Sequence, residues 1–186
     1  GARYQCVFTA LQYSYRDSAS RRLKIWGSLR DVASTGRKRP TWLSAELANR
    51  AIMDTMVGTT QTGDDPTWTQ PPLNGIAATT VVHAVQPFAY RESNAFSIVL
   101  FNLMLTNEHG VTLHLPSPPY ATAMLSRIST TDLRASNETN LQVAITHDVI
   151  NGFSNAFTLV LPPHSMSVVQ WLDAAAPDPP QSFSAT

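Results

Sequence analysis

The chain has 186 residues, in which 13 Lys and Arg balance 13 Asp and Glu to a formal net charge of zero. A hydrophobic share of 43% over this length excludes global disorder, the lone Cys6 excludes an internal disulfide framework, and no apolar run approaches the ~20 residues that span a bilayer. The balance hides an asymmetry: residues 1–50 carry ten bases and three acids (+7), while residues 51–186 carry three bases and ten acids (−7), which marks two stretches of different role.

Residues 4–15 read as one strand, with Cys6, Phe8 and Ala10 on one face and Val7 and Leu11 on the other. Cys6 is then inert core. The segment around Lys24-Ile25-Trp26-Gly27 and Leu29 is open between short strand and helix. Arg37-Lys38-Arg39-Pro40 leads into an expected helix over 41–56, with Pro40 suited to its first turn. Leu43, Leu47 and Ala51, and Ala48, Ile52 and Met56, recur at four-residue spacing and form its apolar stripe. One strand and one helix cannot bury their own apolar faces. This piece must therefore pack against further layers, and the rest of its body is expected on polypeptide outside this sequence.

Asp64-Asp65 precedes Pro66 and reads as a turn, because neighbouring residues in an extended loop seldom aim two carboxyl groups at one bond. Strands are expected at 79–90, 95–105, 111–115, 121–128, 141–146, 156–161 and 165–172. Turn chemistry separates them at Asn107–Gly110, Pro116-Ser117-Pro118-Pro119, 136–140, Asn151-Gly152 and Pro162-Pro163. The run at 95–105 is apolar on both faces, with Phe96, Ile98, Leu100 and Met104 opposite Val99, Phe101, Leu103 and Leu105. That pattern suits a central strand covered on each side. Short strands without intervening helices favour a mainly β fold, an antiparallel β-sandwich. The Ala-, Pro- and Ser-rich residues 174–186 read as a flexible tail.

Several residues together resemble a known architecture. Gln12-Tyr13-Ser14-Tyr15-Arg16 ends the first strand, Trp26-Gly27 follows, and Arg39-Pro40-Thr41-Trp42-Leu43 opens a helix carrying Glu46-Leu47-Ala48-Asn49. Leu161-Pro162-Pro163-His164-Ser165-Met166-Ser167-Val168-Val169 closes the sandwich. The order resembles the C-terminal end of retaining (β/α)8-barrel glycoside hydrolases of the large barrel clan, the arabinofuranosidase, xylosidase and glucuronidase-like families. The resemblance implies a last strand–helix unit of the barrel at 1–56, a C-terminal sandwich at 57–173 and a carbohydrate substrate. It also implies that the two catalytic carboxylates, about 5–5.5 Å apart in a retaining enzyme, lie at the ends of barrel strands four and seven, outside this chain. No catalytic residue is therefore expected here. A companion polypeptide would supply the rest of the barrel.

Barrel chemistry occurs at the C-terminal ends of the strands, which gives Gln12, Tyr13, Tyr15 and Trp26 as candidate substrate-binding residues, with Arg16 and Asp17 beside them. An aromatic ring offers a sugar a flat apolar face, and Gln offers hydrogen bonds to hydroxyls. His83, His109, His114, His147 and His164 lack zinc-site spacing, so neither metal nor cofactor is expected. His164 with Ser165 makes no triad, since consecutive strand residues face opposite ways. Arg37-Lys38-Arg39 and Arg21-Arg22 read as surface, or as ion pairing with the acidic sandwich, and no nucleic-acid or membrane partner is expected. Asn137-Glu138-Thr139 is a glycosylation sequon, meaningful only in a secretory setting. Gly1-Ala2-Arg3 does not read as a signal peptide, so for a secreted or periplasmic protein the export signal is expected to be already removed. Two other classes fit the strand pattern: a non-catalytic carbohydrate-binding or adhesion sandwich, and a capsid or assembly protein.

Overall fold

A computed structural model describes residues 13–16, 18–20, 22–25, 28–30, 36–69, 71–72, 74–75, 77–78 and 81–174. In chain order come β1 (Tyr13–Arg16), β2 (Arg22–Ile25), β3 (Leu29–Arg30), β4 (Arg37–Lys38) and the helix α1 (Pro40–Ala51). Next are β5 (Thr55–Val57), β6 (Thr67–Thr69), β7 (Val81–His83), β8 (Val85–Glu92) and β9 (Ala95–Asn102). The last five are β10 (His109–His114), β11 (Pro119–Ser129), β12 (Thr146–Asn151), β13 (Ala156–Leu161) and β14 (Ser165–Asp173).

The centre is a six-stranded antiparallel sheet in the order β12-β11-β14-β9-β8-β5. Strand β9 explains why it is covered twice. Phe96, Ile98 and Leu100 point to one face, where they join Val169, Trp171, Leu113, Leu159 and Leu161 beneath the β10–β13 ribbon. Val99 points to the other face and packs with Val168, Met166, Leu43 and Leu47 beneath α1. The result is three layers, helix on sheet on ribbon, with two apolar cores separated by one sheet. The double apolar alternation read in the sequence holds from Phe96 to Phe101, but the strand ends at Asn102, so Leu103, Met104 and Leu105 lie beyond it and Leu105 is exposed; the fold is the expected antiparallel β architecture.

Helix α1 opens at Pro40, whose missing N–H costs nothing in a first turn. It buries the expected Leu43, Leu47 and Ala51, and a fully covered leucine such as Leu47 is worth about 1.5–3 kcal/mol. The helix is shorter than the four-residue spacing predicts. It stops at Ala51, Ile52 is extended, and Ile52 and Met56 are exposed. The chain then enters the sheet, because β5 pairs with β8. At the stop the sheet supplies hydrogen bonds that a further turn would have supplied: Ser97 Oγ donates to the Ala51 carbonyl and Gln170 Nε2 to the Arg50 carbonyl.

Other boundaries move for similar reasons. The expected strand at 79–90 is two, broken at the buried Ala84, whose N–H goes to the Pro66 carbonyl at 2.7 Å and whose carbonyl takes Leu103 N–H. The expected turn over Asn107–Gly110 ends sooner, since β10 begins at His109. Residues 141–145, expected as a strand, form none. Their backbone is instead held by Asn137, and pairing with β11 begins at Thr146. The expected tail, 175–186, lies outside the described residues, as does Cys6.

Candidate functional site

Of the candidate sugar-binding residues, Gln12 and Trp26 lie outside the described residues. Tyr13 and Tyr15 sit in β1, opposite Ile25 and Leu23 of β2 in an antiparallel hairpin that turns at Ser18–Ser20. The undecided segment around Lys24 and Leu29 thereby resolves as strand. Two hairpins, β1–β2 and β3–β4, separate the first described strand from α1.

Among the described residues, the segment carrying those hairpins is fastened to the sandwich around Asn137. Asn137 is fully buried, adopts a left-handed backbone (φ 57°) and uses its whole amide. Its Nδ2 donates to the carbonyls of Lys38 at 2.9 Å and Val143 at 2.7 Å, while Oδ1 accepts from the N–H groups of Gln142 and Val143, both at 2.8 Å. Beside it Arg37 Nη1 donates to the Glu138 carbonyl at 3.0 Å, and Arg39 Nε pairs with the Glu138 carboxylate. Arg39 is itself buried, and its N–H closes on Ser28. Lys38 and Arg50 grip Glu46 of α1, each at 2.6 Å, and the hydrogen bond from Lys38, opposed by burial and aided by both positive charges, lowers the Glu46 pKa.

Of the basic run, Arg39 pairs across to the acidic stretch at Glu138, as the charge asymmetry suggests, whereas Lys38 pairs with Glu46 inside the basic stretch and Arg37 donates to backbone carbonyls. The sequon asparagine is an internal bracket. Sequence reading missed that role, and the only signal was Asn at a turn, where left-handed backbone favours it.

The other candidates resolve plainly. Asp65 accepts from Gln61 Nε2 at 3.0 Å and meets His83 Nδ1 at 2.7 Å, in a loop ahead of Pro66 as expected. His147 Nδ1 lies 2.8 Å from Ser126 Oγ. Ser165 Oγ turns to the Pro162 carbonyl, while His164 is exposed, so the two form no triad. Among the described residues no three His, Cys, Asp or Glu side chains gather as metal ligands, and no helix is long and apolar enough to cross a membrane. Exposed Trp68 and Tyr120 lie on different sheets and share no sugar-stacking face. A mostly apolar cleft of about 690 Å³ lies between the large sheet, β10 and the loop after β5.

No known sequence family matches the chain, and no curated protein does. Solved structures do. A thermostable family 51 α-L-arabinofuranosidase of Thermotoga petrophila superposes with a TM-score of 0.61 at 15% identity, over 77% of this chain and 31% of that one. The α-L-arabinofuranosidase of Thermotoga maritima, solved with arabinose, gives 0.62 at 15% identity, over 78% and 32%. A family 51 α-L-arabinofuranosidase of Bifidobacterium longum gives 0.59 at 15% identity, over 78% and 27%. The fold is that of the C-terminal domain of these glycoside hydrolases. The chain spans about a third of the length of the structures it matches.

Proposed function

We propose that this chain is the C-terminal part of a retaining (β/α)8-barrel glycoside hydrolase, in which the sandwich buttresses the catalytic barrel and residues 1–56 form its last strand–helix unit. The bracket at Asn137, Arg37 and Arg39 carries the reading. It fixes a segment with strand–helix sequence onto a sandwich that shares the fold of arabinofuranosidase C-terminal domains. In this arrangement Gln12, Tyr13, Tyr15 and Trp26 line one wall of the sugar site. The acid/base and nucleophile come from a companion polypeptide, and the whole works outside the cytoplasm.

The test is mass analysis of native material, followed by hydrolysis of aryl arabinofuranosides, xylosides and glucuronides. A larger companion polypeptide is expected in the active fraction, and the purified chain alone is expected to be inert. Glycosidase activity from the chain with no partner would overturn the assignment.

A further inference from the structure

Among the described residues, the face of the six-stranded sheet that carries Phe96 and Ile98 is covered by two strands, β10 and β13, and their outer edges are treated differently. Arg127 of β11 donates Nη2 to the Val160 carbonyl at 2.9 Å and so occupies the edge of β13. Among the described residues the edge of β10 has no such guard. Leu115 N–H goes to the Asn155 carbonyl at 2.9 Å, so the odd-numbered residues of β10 turn their backbone towards β13. Strand alternation then directs the N–H and C=O groups of Gly110, Thr112 and His114 away from it. The 3.0 Å contact between the hydroxyls of Thr112 and Thr158 agrees, since side chains approach most closely across a pair without backbone bonds. These outward backbone groups have no partner among the described residues.

That edge borders the 690 Å³ cleft, whose floor is Pro87, Ala89, Phe96 and Ile98. The cleft follows that edge along the whole of β10, from Glu108 to Pro116, so its shape is that of a slot for an extended strand. A compact small molecule would fill the apolar volume and leave donors and acceptors that repeat every second residue unmatched. An extended chain matches both.

We propose that an extended segment of polypeptide from outside these 186 residues, apolar at alternate positions, lies along β10 as a third strand of the ribbon. It pairs with Gly110, Thr112 and His114 and sets its apolar side chains on Phe96 and Ile98. The solved structures that share the fold are about three times as long as the part matched, which leaves ample chain for such a strand. The inference shares with the preceding proposal only the premise of further polypeptide and holds whether or not that polypeptide is a glycosidase.

Amide hydrogen exchange of the chain, titrated with the capped peptide Thr-Val-Thr-Val-Thr-Val-Thr, reads it directly. The amides of Gly110, Thr112 and His114 are expected to slow about tenfold, with those of Val111 and Leu113 unchanged. Thr112→Pro, tolerable at a strand edge, should abolish the slowing at Gly110 and His114, and Thr112→Val should keep it. Should the proline variant not fold, the wild-type titration still decides. No slowing at millimolar peptide overturns the proposal. Slowing that rises with chain concentration in the absence of peptide assigns the edge to a second copy and overturns it equally. Glycosidase activity does not enter this readout, so an inactive protein leaves the result intact.

Discussion

Ser97 and Gln170 face each other across β9 and β14 and take consecutive carbonyls of α1, those of Ala51 and Arg50. Because Ser97 and Ala51 are both fully buried, Ser97→Ala leaves an acceptor without water and should cost about 1–3 kcal/mol. Gln170→Ala, on the more open side, should cost about 0.5–1.5 kcal/mol. Urea unfolding would show both as a lower midpoint at unchanged slope.

Asn137 carries a second expectation. Its amide makes four hydrogen bonds from a fully buried position, so an oligosaccharide cannot be attached in the folded chain. Expression through a eukaryotic secretory pathway should yield folded protein of unmodified mass at this sequon. Asn137→Ala loses those bonds and must hold a left-handed backbone, a loss of about 2–4 kcal/mol.

The Arg39–Glu138 pair should behave as a buried ion pair does. Arg39→Ala leaves the carboxylate short of its partner and is expected to cost about 2–3 kcal/mol, less than a fully enclosed pair because Glu138 retains some solvent. Arg39→Met combined with Glu138→Gln should recover much of that loss. A double-mutant cycle on the unfolding free energy measures it.

Acid titrates the grip on Glu46. Its folded pKa lies below the unfolded value, chiefly through the hydrogen bond from Lys38, so its contribution is present at neutral pH and disappears as pH falls through the folded pKa. The stability gap between the wild type and Glu46→Gln should therefore close in acid. It should stay below about 1 kcal/mol throughout, given the exposed partners. Unfolding midpoints collected across the acid range would show the two curves converge, and a gap that widened in acid would contradict the assignment.

Leu47 and Ile52 separate core from surface on the same apparent stripe. Leu47→Ala should cost about 2–5 kcal/mol because the site is fully covered. Ile52→Ser should stay within about 0.5 kcal/mol, since that side chain is more than half exposed. Thermal unfolding of the two variants ranks them.

The sequence made β9 legible because both faces of one strand were apolar, a pattern that only a doubly covered position needs. The end of α1 was not legible. Ala48, Ile52 and Met56 continue its spacing, and the stop comes from Ser97 and Gln170, which lie 46 and 120 positions away from the carbonyls they take. Strand β12 escaped notice because Thr146, His147, Asp148 and Asn151 are polar, as an edge strand permits. The Asn137 bracket was visible only as a sequon, since a motif read along the chain cannot show which carbonyls converge on it in space.

The short strand β5 has a consequence for how the molecule comes apart. The helix that covers the sheet is followed within four residues by that sheet's own edge strand. Pulling α1 away tugs directly on β5, and stripping β5 tugs on the helix. A chain starting at Gly58 would lose both, baring the backbone of β8 along its flank and Val99 and Val168 on its face. Such a fragment should be sticky and poorly soluble. The two oppositely charged stretches are thus stitched into one unit that melts together, and the change of sign near residue 56 is no place to cut.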